Sequence, residues 1–183
     1  MAALLGWSGP AAFFAGFVPG RAGSSPIAAL LTPLSATLVH AGIAHLLLNL
    51  LILLFCGRAV ETILGGPALV FLYVVGAFAA AAAHFAVDPG DTVPMVGASG
   101  AISAVIGAYA ILFGRNRVRL ANPLAALLVN ALWLAAAWIL LQLLVGFTFE
   151  TAGARIAVAA HIGGFLTGLV LANPLLLWRY RRA

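Results

Sequence analysis

Residues 97–113 read Gly97-Ala98-Ser99-Gly100-Ala101-Ile102-Ser103-Ala104-Val105-Ile106-Gly107-Ala108-Tyr109-Ala110-Ile111-Leu112-Phe113. The stretch is small or apolar almost throughout, so as a helix it is a membrane segment, hydrophobic on every side. A serine hydroxyl at its head is hard to justify against lipid, because polar groups at membrane depth are expensive and mark function. A later apolar segment opens on Ala160-His161. Brought together, an alcohol and an imidazole make a nucleophile and its general base.

Composition agrees with a membrane setting for both segments. The 183-residue chain is 64% hydrophobic and 7% charged, with a mean hydropathy of +1.16. A soluble domain carries about 25% charged residues, so these few charges cannot cover a wet surface. The apolar runs are about 20 residues long, the length of membrane helices. They lack the ten-residue alternation of a membrane barrel. The expected fold is therefore all-α, a polytopic transmembrane helical bundle of about six spans, with residues 1–183 as a single membrane-embedded domain.

Along the chain, the first apolar segment runs from about Ala2 to Val18 and contains Pro10; no signal-peptide cleavage pattern accompanies it. The linker Pro19–Pro26 is loop chemistry. Ile27 to Ala41 is broken by Pro33 and reads as a partly inserted loop. Further spans are expected at about Ile43–Leu64, Pro67–Val87, Ala98–Phe113, Pro123–Phe147 and Ile156–Trp178. The Asp88–Asp91 loop and a polar loop from Thr148 to Arg155 separate the later ones.

The net charge of +5 comes from arginines clustered between apolar runs. That placement is a topology signal rather than a nucleic-acid surface. Arg58, Arg115, Arg117, Arg119, Arg179, Arg181 and Arg182 fall on one side; Arg21 and Arg155 fall on the other. The first side is then cytoplasmic, and the 88–91 and 148–155 loops face outward.

Depth can be read from helical rise, about 1.5 Å per residue. Ser99 lies roughly 21 Å above the cytoplasmic edge at Phe113, His161 roughly 25 Å above Trp178, and His45 roughly 20 Å above Arg58. In a hydrocarbon core about 30 Å thick, all three share one layer below the outer surface.

Each constellation has a plain reading beside the chemical one. Gly97-x-Ser99-Gly100 allows close backbone approach and leaves unpaired N–H donors at a helix start, which suits an oxyanion site. The same pattern serves as a helix N-cap and packing motif. Ser99, Ser103 and Gly107 recur at intervals of four, as do Gly164 and Gly168, and such faces bring helices close in lipid. His45 and Asn49, at i and i+4, share a helix face. As neutral donors they stabilise an oxyanion; otherwise they make interhelical hydrogen bonds. With His40 they suggest a metal site at first sight, but no cysteine or carboxylate joins them and the spacing is not a zinc pattern. No carboxylate lies centrally in any span, so Ser99 and His161 would act as a pair without a third member. Cys56 reads as a packed thiol. His84 reads as an interfacial residue, and Arg58 with Glu61 as a structural ion pair. Trp133, Trp138, Phe85, Phe147 and Phe149 read as packing or interface aromatics.

In order, the chain carries His40-x4-His45-x3-Asn49, Gly57-Arg58-x2-Glu61-x3-Gly65, Gly97-Ala98-Ser99-Gly100 and Ala160-His161-x2-Gly164-x3-Gly168. Together these resemble the rhomboid intramembrane serine proteases, from about Gly16 to Ala172. The resemblance implies Ser99 as nucleophile and His161 as general base. It implies an oxyanion hole of His45, Asn49 and the Ser99 N–H, and a structural role for His40. It further implies cleavage of transmembrane protein substrates within the lipid bilayer, with no metal and no organic cofactor. The cavity would open to the outer side of a bacterial inner membrane, and substrates would enter laterally past the fifth helix. The chain departs from the family pattern in two places. Ser103 stands where many members carry an aromatic ring that packs on the histidine; Phe165 is the ring expected to compensate. The first helix is short and interrupted by Pro10. The rival readings are a non-catalytic rhomboid-like protein that binds or escorts membrane clients, and a small transporter. A transporter would place ionisable groups along a path through the bilayer, which this chain does not.

Overall fold

The computed structural model describes residues 8–114, 122–126, 128–130, 132, 133, 136, 138 and 158–181. The chain forms α1 (Ser8–Ala15), α2 (Pro26–Leu38), α3 (Ile43–Leu64), α4 (Gly66–Val87), α5 (Ser99–Phe113) and α6 (Val158–Tyr180). Between α5 and α6, helical residues are described over 123–126 and 128–130 and at 132, 133, 136 and 138. Asn122 caps that stretch, its Oδ1 accepting the N–H groups of Leu124 at 2.9 Å and Ala125 at 3.2 Å. Pro123 takes the first helical position, where no N–H is needed. The rest of the expected fifth span, the Thr148–Arg155 loop and the Arg115, Arg117 and Arg119 cluster lie outside the described residues.

The fold is a helical membrane bundle. Among the described residues, α3, α4 and α6 are long and apolar enough to cross a bilayer. The sequence places their ends well because the punctuation is explicit. Gly65, at φ +86°, breaks the chain between α3 and α4, and Pro67 sits in the first turn of α4. Within α3, residues Leu53–Gly57 widen to a π-helical turn. That turn changes the facing of the helix between Asn49 and Arg58, which simple periodicity does not foresee.

Two expectations are corrected. Residues Pro26–Leu38 form a short helix rather than an irregular loop. Pro33 gives up one backbone bond there, and the last turn tightens to a 3-10 geometry over Ala36–Leu38. In the first expected span, the described helix stops at Ala15. Phe17 turns extended and pairs with Met95, because the chain at Gly16 is pressed against Pro94 and Val96.

Helix α5 is the axle of the bundle: eleven of its fifteen residues are buried. At about 1.5 Å per residue its described residues rise roughly 22 Å. Residues 88–97 lead into its head. In a membrane, irregular backbone needs its polar groups satisfied by protein, and this segment is tied to the rest of the chain at three points. Phe17 and Met95 exchange N–H···O bonds of 3.0 and 2.8 Å, Gly20 N–H donates to Asp91 O at 2.8 Å, and Gly97 N–H donates to Ala36 O at 2.9 Å. His84 Nε2, on α4, stands 3.3 Å from Asp91 Oδ2, which gives this histidine a partner from the 88–97 segment.

Helices α4, α5 and α6 meet through small residues. A Cβ on Gly164 would run into the Gly100 carbonyl, one on Gly168 into the Ala104 carbonyl, and one on Gly107 into the Phe165 carbonyl. On the other side of α6, a Cβ on Gly163 would meet Ala79 and Ala83 of α4. Large apolar side chains point the opposite way, toward lipid: Leu47, Leu50, Leu51, Leu54 and Phe55 on α3 are all exposed.

Candidate active site

The backbone contact between α5 and α6 sets the central geometry. Ser99 opens α5, and His161 lies in the first turn of α6. With no side chain between Gly100 and Gly164, the helices approach closely enough to place Ser99 Oγ 2.7 Å from His161 Nε2. A neutral imidazole accepting the hydroxyl proton at Nε2 carries its own proton on Nδ1. That Nδ1 is buried and has no hydrogen-bond partner among the described residues. With no carboxylate of the described residues behind the ring, packing must orient it.

Ser99 is the first residue of α5, and the first intrahelical hydrogen bond is the one Ile102 N–H donates to Ala98 O at 2.9 Å. The N–H groups of Ser99, Gly100 and Ala101 stand before it, at the positive end of the helix. The approach is shaped by Gly97, whose φ of +109° suits glycine.

His45 packs onto that glycine: a Cβ at position 97 would lie 2.6 Å from His45 Cε1 and 2.8 Å from Nε2. Its Nδ1 accepts Ala41 N–H at 3.4 Å, which leaves Nε2–H as the donor of a neutral ring beside the Ser99 loop. Asn49 lies one turn deeper on the same helix face and is buried. One of its amide protons goes to His45 O at 2.8 Å, which leaves the other for a second acceptor. His40 meets His45 edge to face, with ring centroids 5.1 Å apart. Burial holds the His40 imidazole below the usual histidine range, against a smaller upward pull from a backbone bond at Leu38.

The ring that packs on His161 comes from elsewhere than expected. Phe165 sits in an apolar cluster with Ala98, Ile102, Ile106, Ala110 and Trp138. The Trp138 indole itself meets the imidazole, edge to face, with centroids 6.3 Å apart. Its Nε1–H donates to Ser103 Oγ at 3.0 Å, and Ser103 in turn donates to Ser99 O at 2.7 Å. By sequence alone Trp138 is one packing aromatic among several. The one signal toward it is the gap at Ser103, and nothing in spacing says which ring fills that gap.

At the end of α3 far from Ser99, Arg58 and Glu61 do not form the expected ion pair; the one described pairing of a basic with an acidic side chain is His84 with Asp91. The Glu61 carboxylate turns instead toward Gly66 at the head of α4, where free N–H groups attract an anion. Arg179 Nη1 donates to the Glu61 carbonyl at 3.4 Å. Cys56 is half-buried and packs against the apolar core.

A family model described as "Rhomboid domain" matches residues 28–178. The chain is 31% identical to "Rhomboid protease GluP" of Bacillus subtilis over 146 residues, covering 80% of this chain and 25% of that protein. It is 31% identical to "RHOMBOID-like protein 5" of Arabidopsis thaliana over 144 residues, covering 79% of this chain and 43% of that one. It is 30% identical to "Rhomboid-related protein 2" of Mus musculus over 138 residues, covering 74% and 45% respectively. The chain thus spans between a quarter and just under half of the length of these relatives.

Proposed function

The chain belongs to the rhomboid family, and from that premise we propose that it is an intramembrane serine endopeptidase acting on transmembrane protein substrates. The observation that carries the reading is the 2.7 Å approach of Ser99 Oγ to His161 Nε2. In this reading His161 takes the hydroxyl proton as Ser99 Oγ attacks the scissile carbonyl carbon. The carbonyl oxygen becomes an oxyanion beside the free N–H groups at the head of α5, with His45 Nε2–H and the spare Asn49 amide proton as further donors. The tetrahedral intermediate collapses, the C–N bond breaks, and His161 gives its proton to the leaving amine. Water then attacks the acyl-enzyme, with His161 again the base, and releases the acid product. Every proton moves through this chain's own groups or water.

A peptide bond inside a helix is already hydrogen-bonded, so the substrate must unwind locally to present its carbonyl. A site at the head of a short, inward-starting helix suits a segment that frays below the outer surface. The arginine distribution supports a site that faces the extracytoplasmic side, in keeping with the expected bacterial inner membrane.

The test is cleavage of transmembrane substrates in liposomes. Ser99→Ala is expected to lower turnover by at least about 10⁴-fold while helical content and thermal midpoint stay unchanged. Turnover retained in that variant would remove Ser99 from the role. A folded wild type that cleaves nothing and resists serine-directed reagents would instead fit a non-catalytic member that binds membrane clients.

A further inference from the structure

We propose that Trp138 is a positioning residue for the reaction, holding the His161 ring against Ser99, and that Ser103 is the anchor that fixes the indole. The proposal rests on the protease reading above and concerns how this chain orients its base without a carboxylate. His161 is 7% exposed, its Nε2 faces Ser99, and its Nδ1 has no partner among the described residues. A ring held by one hydrogen bond is free to rotate about that contact unless something packs on it. Trp138, itself 8% exposed, meets it at an interplanar angle of 68°, an edge-to-face arrangement within the favourable separation for aromatic pairs.

The indole does not float. Its Nε1–H donates to Ser103 Oγ, and the Ser103 hydroxyl donates onward to the carbonyl of Ser99. Ser103 is completely buried and sits one turn below Ser99. Position 103 therefore asks for a side chain small enough for a closed site that accepts one bond and donates another, which a hydroxyl does. The relay ties the indole to the nucleophile's own backbone while the indole ring touches the base. One side chain from a third segment thus registers both partners. It also explains why α5 carries a serine at 103: a larger side chain there would occupy the space of the indole.

The experiment compares steady-state cleavage by wild type, Trp138→Leu, Trp138→Phe, Ser103→Ala and the Trp138→Phe/Ser103→Ala double variant in liposomes, alongside the rate of fluorophosphonate labelling. Loss of the ring in Trp138→Leu is expected to lower kcat and labelling about 10- to 100-fold, the scale of a small misplacement of a reacting group, with KM within about 2-fold. Trp138→Phe keeps a ring but loses the bond to Ser103, and is expected to fall only several-fold, well above Trp138→Leu. Ser103→Ala is expected to cost several-fold. The double variant is expected to lose no more than the worse single change, because both changes break the same bond. Should Trp138→Leu fail to fold, the coupling between Trp138→Phe and Ser103→Ala decides alone. Phe no better than Leu, a loss confined to KM, or additive losses in the double variant would each overturn the positioning role. A wild type that takes no label would overturn the protease reading itself, and this proposal with it.

Discussion

Gly97 meets two demands at once. Its φ of +109° is a conformation that side chains resist, and His45 occupies the space where a Cβ would go. Gly97→Ala is therefore expected to cost about 1–3 kcal/mol in backbone strain and to push His45 off the loop. The measurable result is a lowered thermal midpoint together with slower labelling of Ser99; an unchanged midpoint would show that the loop has slack. At this scale much of the site is legible in the sequence. Ser99, His161, His45 and Asn49 stand out because polar groups are rare in apolar spans, and each can be placed by counting helical rise. Trp138 cannot be read in the same way. A tryptophan in a membrane protein has many uses, and its contact with His161 is set by how its segment leans on α5, which no local pattern encodes. The Arg58–Glu61 pair misleads because i,i+3 spacing permits an ion pair without requiring one, and the head of α4 competes for the same carboxylate.

The pairing of α5 with α6 is the element on which the site depends. Their backbones touch at Gly100 with Gly164, Ala104 with Gly168, and Gly107 with Phe165. The obstructing atoms are main-chain carbonyls and not yielding side-chain ends, so added volume has to separate the helices. Gly168→Val is expected to destabilise the bundle by about 1–3 kcal/mol and to slow cleavage about 100-fold by displacing His161 from Ser99. Gly23→Ala, at a glycine with open space around it, serves as the control and is expected to change neither. Cleavage unaffected by Gly168→Val would mean that the glycine face does not set the Ser99–His161 distance. The four-residue spacing of small side chains makes this contact legible from the sequence. The helix at Pro26–Leu38 is not, because Pro33 reads as a breaker; there the chain gives up one backbone bond and carries on. The π-helical turn of α3 is equally silent in sequence, since Leu53–Gly57 is as apolar as its neighbours.

Across the whole molecule, the low charge, the long apolar runs and the glycine and proline punctuation identify a membrane bundle, and α3, α4, α5 and α6 lie close to the expected boundaries. The start of α5 matters most at this scale. At the start of α5, N–H donors, a hydroxyl and an imidazole meet; in the proposed reading this point lies within the membrane layer, where unsatisfied polar groups are costly. The strap at residues 88–97, bonded to the chain at Phe17, Gly20 and Ala36, makes that start tenable. Sealed vesicles of defined orientation, treated with a membrane-impermeant fluorophosphonate and read by mass spectrometry, probe this arrangement most directly. One adduct is expected, on Ser99, formed when the extracytoplasmic face is exposed and absent in His161→Ala. A folded wild-type protein carrying no adduct at Ser99 in either orientation would contradict the assignment of Ser99 and His161 as nucleophile and base.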